Sequence, residues 1–183
     1  MQLNITQKGR SLSVNLGDTA PFDLNFQEGL LNSNWSINRA GRDFVSIEKS
    51  RRFFSSNADV KVSFKNVFGS ETLLLNYKNR MPNATFEYRG NIFQIVFHTH
   101  NRFSYFLGDQ QFARTELRAF FNEAHYEGFF NEQIIDPHVY LLSHLGLIYL
   151  NTVSDNGGEG FSVVIFRSFL YGELRSFDEG WKE

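Results

Sequence analysis

Apolar and polar residues alternate along much of the first two thirds of the chain, in short runs separated by turn-forming residues. Clear examples are Leu12-Val14-Leu16, Phe22-Leu24-Phe26 and Val60-Val62-Phe64. Alternation with a period of two is typical of a β-strand with one buried face and one solvated face. The first part of the chain is therefore predicted to form a series of half-buried strands.

The same pattern continues through the middle of the chain. It predicts strands at 72–78, 85–89, 91–99, 103–107 and 112–121. Strands that recur every roughly 8 to 12 residues are typical of β-sandwiches and β-barrels.

The pattern then changes to that of a helix. Asp136 followed by Pro137 is a helix-start signal, and apolar residues from about 137 to 150 occupy nearly every angle around the predicted helix axis. Such a helix is either buried on all sides or lies in a membrane. About 14 residues are too few to span a bilayer, which needs about 20, so we predict a buried helix and no transmembrane segment.

The segment 161–171 fits a strand or a helix equally well, and the polar tail after Gly172 is expected at the surface.

A β-rich chain with one late, wholly apolar helix favours a particular architecture. Threading the helix through a closed barrel covers the inner phenylalanine face of the sheet and also keeps the helix from water. We therefore predict a mainly β (α+β) fold, a closed antiparallel β-barrel around one central hydrophobic helix. Residues 1–183 are expected to form a single domain.

Composition adds few constraints on function. Phenylalanine is abundant, at 21 of 183 residues, and it favours strands. A net charge of −2 gives no global attraction to nucleic acid, and we predict no nucleic-acid partner. The chain has no cysteine, and its N-terminus does not resemble a secretory signal, so a cytoplasmic location is expected.

Three segments carry a resemblance to a known family. They are residues 89–96 (RGNIFQIV), 102–114 (RFSYFLGDQQFAR) and the helix at 136–150. In order and spacing they resemble the tubby C-terminal-like superfamily, which includes phospholipid scramblases and LURP-one-related proteins. The resemblance implies a closed barrel around a central hydrophobic helix and makes lipid head-group binding an expectation. No residue matches that superfamily's basic binding site, so none is carried over.

His98 and His100 are the most suggestive pair of side chains. They lie two apart on a predicted strand, a spacing that metal sites in barrels use, but no carboxylate follows at the required distance and Arg102 is a poor neighbour for a cation. Both are expected on the face opposite Phe93, Ile95 and Phe97, in solvent. We predict no metal site and no cofactor.

The other histidines give no paired site. His144 is expected to be buried and satisfied by one hydrogen bond, and His125 is isolated in the sequence.

Basic residues gather around one predicted hairpin. They are Arg39, Arg42, Lys49, Arg51 and Arg52. With Phe53 and Phe54 beside them, they suit an anionic head group at a membrane surface. They also suit a simpler role, in which charges at a sheet rim discourage pairing between sheet edges.

No nucleophile, phosphate-loop or dinucleotide motif is present, and no catalytic residue is predicted. The leading interpretation is a non-enzymatic binding module for a lipid head group or another small anionic ligand at the barrel rim. Its candidate ligand-binding residues are His98, His100, Arg102, Arg51 and Arg52. The alternatives are an enzyme or metal-binding protein that uses His98 and His100, and a protein–protein interaction domain.

Overall fold

The computed structural model describes residues 1–28, 34–40, 42–51, 57–64, 72–78, 83–98, 101–120, 123–153, 177, 178 and 181. Its strands are β1 (Gln2–Lys8), β2 (Ser11–Leu16), β3 (Phe22–Glu28), β4 (Asn34–Arg39), β5 (Arg42–Arg51), β6 (Asn57–Phe64), β7 (Thr72–Lys78), β8 (Asn83–Tyr88), β9 (Asn91–His98), β10 (Arg102–Leu107), β11 (Gln110–Phe120) and β12 (Glu123–Phe130). One helix, α1, follows them at Pro137–Val153.

Each strand pairs antiparallel with its neighbours in sequence, and β1 pairs with β12 to close the barrel. The closing register runs from Gln2 opposite Phe129 to Lys8 opposite Glu123. The amino terminus reinforces the closure, because the Met1 ammonium group donates a hydrogen bond of 2.7 Å to the Phe130 carbonyl. Closure removes the exposed sheet edges that open sheets must protect. The predicted closed antiparallel barrel is confirmed.

The alternating pattern forms strands because it matches the two faces of the sheet. In β2, for example, serine and asparagine point to solvent and Leu12, Val14 and Leu16 point inward. The turn from β8 to β9 has positive φ at Arg89 (49°) and Gly90 (74°). Two such residues between paired strands are typical of the tight hairpin turn whose twist suits a β-ribbon.

The helix lies inside the barrel. Every residue from Val139 to Ile148 is buried, so its whole circumference is in contact with protein. Asp136 caps its first turn by accepting a hydrogen bond of 2.8 Å from the His138 amide. Further along, α1 approaches β6 and β7 so closely that a Cβ on Gly146 would lie 2.5 Å from Leu75 and 3.0 Å from Val62. The predicted central hydrophobic helix is confirmed, and it continues to Val153.

Aromatic side chains fill much of the space between helix and wall. Phe86 stacks on Phe93 with ring centroids 5.1 Å apart, and Phe93 meets the edge of Phe112 at 5.3 Å. At the helix, Tyr140 packs on Phe130 at 4.4 Å. Part of the phenylalanine content therefore serves to pack the inner face of the sheet against the helix.

The sequence analysis missed one strand and left the structure of one segment open. Strand β12, which closes the barrel, was not foreseen. The segment 161–171, which the sequence left open between strand and helix, lies outside the described residues. Within the ranges that the structure describes, no helix combines the length and the hydropathy needed to cross a bilayer.

Candidate binding site at one end of the barrel

The up-and-down topology brings alternate hairpins to the same end of the barrel. Strands β5 and β9 finish at one end, at Arg51 and His98, and β10 begins there at Arg102. Three of the five candidate ligand-binding residues therefore belong to strand termini at one end. The other two, Arg52 and His100, lie outside the described residues.

Charge is divided unequally between the two ends. The charged strand termini and described turn residues at the end that holds Arg51 are Lys8, Arg10, Arg51, Lys78, Arg102, Glu28 and Glu123. At the opposite end, the charged strand termini and described turn residues are Arg39, Arg42, Arg89, Asp18, Asp109, Glu132 and Asp136. Side-chain cations therefore outnumber carboxylates five to two at the first end but not at the second, where four carboxylates accompany three side-chain cations and the Met1 ammonium group. We call the first the basic end.

The helix is oriented with this charge distribution. It begins at the opposite end, where Asp136 caps it, and runs toward the basic end. The amino terminus of a helix attracts negative charge and its carboxyl terminus attracts positive charge. At the amino terminus this preference is met by Asp136, whereas the last turn of α1 carries no basic residue.

The basic group predicted around one hairpin is not assembled. Arg39 and Arg42 flank the β4–β5 turn at the opposite end, whereas Arg51 ends β5 at the basic end. Arg42 and Arg51 are the first and last of the ten residues of β5, so the extended strand separates them by roughly 30 Å. The prediction that these arginines form one site was therefore wrong, because residues at the two ends of a strand are far apart in space.

His98 lies on the outer face of β9, as predicted, but it is not in solvent. Its side chain is 1% exposed, and its Nε2 lies 3.0 Å from the Ser104 hydroxyl. The Phe177 ring covers the imidazole edge-on, with centroids 5.2 Å apart. The expectation of a solvent-facing His98 was wrong: its imidazole is buried, and the Phe177 ring packs against it.

Arg102 lies next to His98 at the basic end. Its guanidinium group sits 4.9 Å from the centroid of the Phe177 ring, in a cation–π contact. The described part of the chain contains no group of three or more histidine or carboxylate side chains placed to share a metal ion.

A second polar site lies inside the barrel, between α1 and the wall. It consists of Tyr105, Thr115, Tyr140, Ser143 and His144, which we call the polar cluster. The Thr115 hydroxyl lies 2.7 Å from His144 Nε2 and 2.8 Å from the Tyr140 hydroxyl. All five side chains are buried, with at most 1% exposed. The burial of His144 was predicted, but its several hydrogen-bond partners were not.

Two groups lie 3.2 Å from His144 Nδ1, the Tyr140 carbonyl and the Tyr105 hydroxyl. The carbonyl can only accept a hydrogen bond and so favours a proton on Nδ1, with Nε2 accepting from Thr115. Burial lowers the pKa of His144 to about 4, and the hydrogen bond to the Tyr140 carbonyl opposes this shift only in part. The imidazole is therefore neutral at physiological pH. Shut off from solvent, the polar cluster positions the helix and does not present a substrate site.

A third group of polar side chains surrounds a shallow depression of about 310 Å³ on the outer wall of β1, β11 and β12. His125 Nδ1 lies 3.2 Å from the Thr6 hydroxyl, and its Nε2 lies 3.3 Å from a Glu123 carboxylate oxygen. Nearby, Arg118 and Glu127 form an ion pair at 4.0 Å. His125 is thus not isolated in space. The Thr6–His125 and Arg118–Glu127 pairs join neighbouring strands, whereas Glu123 and His125 lie two apart on β12. Exposed pairs of this kind contribute modestly to sheet stability.

Comparisons of the chain with protein-family models, with curated proteins and with solved structures give no match.

Proposed function

We propose that this protein is a non-enzymatic binding module that binds a phosphate-bearing anion at the basic end of its barrel. The observation that carries the proposal is the position of Lys8, Arg51, Lys78 and Arg102 at strand termini of the same end. The anion can be a lipid head group or a soluble phosphate, because the same cations suit both.

The enclosed helix supports a site outside the barrel. Residues 139–148 are buried on all sides, so the helix occupies the central space that larger or emptier barrels use for ligands. The polar cluster beside it is inaccessible to solvent. A ligand is therefore expected to bind at an end of the barrel or on its outer wall.

The charge at the basic end is sufficient for useful affinity. Each lysine or arginine near an anionic membrane surface contributes about 1 kcal/mol. The five cations at this end exceed its two carboxylates by three charges, which would together contribute about 3 kcal/mol, or roughly a hundred-fold in affinity. The chain as a whole carries a net charge of −2. An anionic surface would therefore attract the barrel only when the basic end faces it.

The proposal includes a distant relationship to the tubby C-terminal-like superfamily and a cytoplasmic location. Support for the relationship comes from the order of late hairpins followed by a central helix, at the segments named above. Support for the location comes from the anionic lipid of the cytoplasmic leaflet, which would supply a matching surface.

Charge reversal at the two ends tests the proposal. We expect Arg51→Glu combined with Lys78→Glu to lower binding to vesicles containing phosphatidylserine at least ten-fold in a flotation assay. The matched control, Arg42→Glu with Arg89→Glu, makes the same change in net charge at the opposite end and should bind nearly as the wild type does. Vesicles of phosphatidylcholine alone should bind neither protein.

Competition with soluble inositol hexakisphosphate separates the two sources of the anion. Competition at micromolar concentration indicates a soluble phosphate ligand, whereas vesicle binding that resists it indicates a membrane surface. Equal losses for both pairs of reversals, or preferential binding of nucleic acid over both phosphate ligands, would contradict the proposal. If the charge reversals at the basic end lower the melting temperature but leave vesicle binding unchanged, the cations stabilise the fold and the proposal is wrong.

A further inference from the structure

The depression on the outer wall of β1, β11 and β12 brings five polar side chains together. They are Asn4, Thr6, Arg118, His125 and Glu127. Strand pairing arranges them in two rows. Asn4 lies opposite Glu127 in one row, and His125 lies between Thr6 and Arg118 in the other. The volume of about 310 Å³ is at the small end of the range for ligand sites, so the depression has room for one small ring.

The wall around the depression is electrically balanced. On the described parts of β1, β11 and β12, the outward-facing cations are Lys8, Arg114 and Arg118, and the outward-facing carboxylates are Glu116, Glu123 and Glu127. Within the depression, Arg118 and Glu127 form an ion pair at 4.0 Å. Because charges of both signs are present in equal number, a ligand with a net charge gains little from this surface. The depression therefore favours a neutral ligand.

Hydrogen-bond donors and acceptors lie close together in the depression. Arg118 presents only donors and Glu127 only acceptors, whereas the Asn4 amide presents both. The side chains of Arg118 and Glu127 are 67% and 43% exposed, so both are within reach of a ligand. A matching ligand must therefore donate and accept hydrogen bonds over a short distance.

Adjacent hydroxyl groups on a sugar ring meet this requirement. Each hydroxyl donates one hydrogen bond and accepts others, so one can accept from the Arg118 guanidinium group while its neighbour donates to the Glu127 carboxylate. The ion pair stays intact in this arrangement. A zwitterion such as an amino acid would instead compete with each member of the pair for its partner.

The polar wall continues beyond the depression onto β2 and β3. Ser13 lies opposite Thr6 on β2, and Asp23 lies opposite Ser13 on β3. Both are exposed. Neighbouring strands are about 4.8 Å apart, so the row from Arg118 to Asp23, which crosses five strands, spans roughly 19 Å. We call it the polar row. Its length suits several sugar rings in a chain.

We propose that the depression and the polar row form a binding site for a neutral glycan, with one sugar ring seated between Asn4, Arg118 and Glu127. Cross-strand contacts already hold several of these side chains, as in the 3.2 Å contact between the Thr6 hydroxyl and His125. Side chains held in this way lose less conformational freedom on binding. The inference is independent of the anion-binding proposal, because it concerns the outer wall and a ligand without charge.

NMR titration of the full-length chain with neutral tetrasaccharides tests the site. Tetrasaccharides of glucose, mannose and galactose together present the common arrangements of adjacent hydroxyl groups. We expect at least one of them to shift the amide resonances of residues 4–6, 118 and 125–127 in a saturable manner. No saturable shift with any of the three, or shifts centred on another wall, would overturn the proposal.

A double substitution in the depression gives a second test. Asn4→Ala combined with Glu127→Ala removes a donor and the acceptors, and we expect it to weaken binding of the same tetrasaccharide at least ten-fold. The matched control, Asn76→Ala with Glu87→Ala, removes the same two types of side chain from exposed positions on β7 and β8, which lie five and four strands from β12 around the barrel. It should bind as the wild type does. Equal effects of the two double substitutions would contradict the site.

Charged ligands test whether the site selects a neutral glycan. Tetrasaccharides of galacturonic acid and of glucosamine carry negative and positive charges on similar rings, and both should bind more weakly than the neutral tetrasaccharide. Tighter binding of either, or tighter binding of glycine as a zwitterion, would show that the proposed ligand class is wrong. This comparison uses the wild type, so it decides the matter even if circular dichroism shows that the double variant does not fold.

Discussion

At the scale of single residues, Gly128 shows how the barrel wall admits the helix. A Cβ at this position of β12 would lie 2.8 Å from the Tyr140 hydroxyl and 3.2 Å from the Thr115 hydroxyl. Both hydroxyls belong to the polar cluster and hydrogen-bond to each other, and the Tyr140 hydroxyl also donates to the Arg114 carbonyl. The missing side chain therefore creates the space in which a bulky helix residue reaches the wall.

We expect Gly128→Ala to destabilise the protein by about 1–3 kcal/mol, as overpacking of a buried site usually does. Urea unfolding measures the loss. In a Tyr140→Phe background, which removes the hydroxyl that the new methyl group would meet, the same substitution should cost at least about 1 kcal/mol less. Equal costs in the two backgrounds would show that the hydroxyl does not restrict the site.

His144 makes stability depend on pH in a defined direction. Its pKa is about 4 in the folded protein and about 6.5 in an unfolded chain. Between these values the unfolded chain binds more protons, so stability falls as the pH is lowered from about 6.5 to about 4. Above this window the contribution is fully present. We expect a loss on the order of 2 kcal/mol between pH 7 and pH 5 from this residue alone.

Urea unfolding of the wild type and of His144→Gln at both pH values isolates this contribution. Glutamine does not titrate, so the variant should lose less stability than the wild type between pH 7 and pH 5, by on the order of 2 kcal/mol. Parallel losses in the two proteins would mean that other groups cause the pH dependence.

At the scale of elements, the strands that the sequence predicts are those with large apolar residues at alternate positions. Strand β12 lacks this pattern. Its inward positions include Ala124 and Gly128, both buried and both small. At Gly128 a small residue is required because the Tyr140 and Thr115 hydroxyls approach β12 closely, and this requirement is not visible until the helix is placed inside the barrel.

His98 shows the same limit for the candidate site. Period two correctly placed it on the outer face of β9, but its burial depends on Phe177, which is distant in sequence. Alternation reports which face of a strand a residue occupies. It does not report whether another segment covers that face.

At the scale of the whole molecule, closure and topology determine where charge accumulates. Local sequence placed Arg42 and Arg51 together, but the strand between them carries them to opposite ends of the barrel. Once the hairpins are assigned to the two ends, the cations of Lys8, Arg51, Lys78 and Arg102 come to one end. The basic end therefore arises from the arrangement of all the strands in the barrel, and no single sequence motif encodes it.

Closure also makes the folding of the barrel and the burial of the helix a single event. Strand β1 is hydrogen-bonded on both sides, to β2 and to β12, so no strand of the barrel is an edge. The helix can be wetted only if the wall opens. The amides of α1 and β1 should therefore become accessible together, in the same global unfolding transition.

Native-state hydrogen exchange measured by NMR tests this central claim most directly. We expect the amides of Val139–Ile148 and the paired amides of β1 to exchange with the free energy of global unfolding. The amides of the turn at residues 132–134 should exchange much faster. Helix amides that exchange as fast as those of this turn, or β1 amides that open well before the helix, would contradict a closed barrel around an enclosed helix.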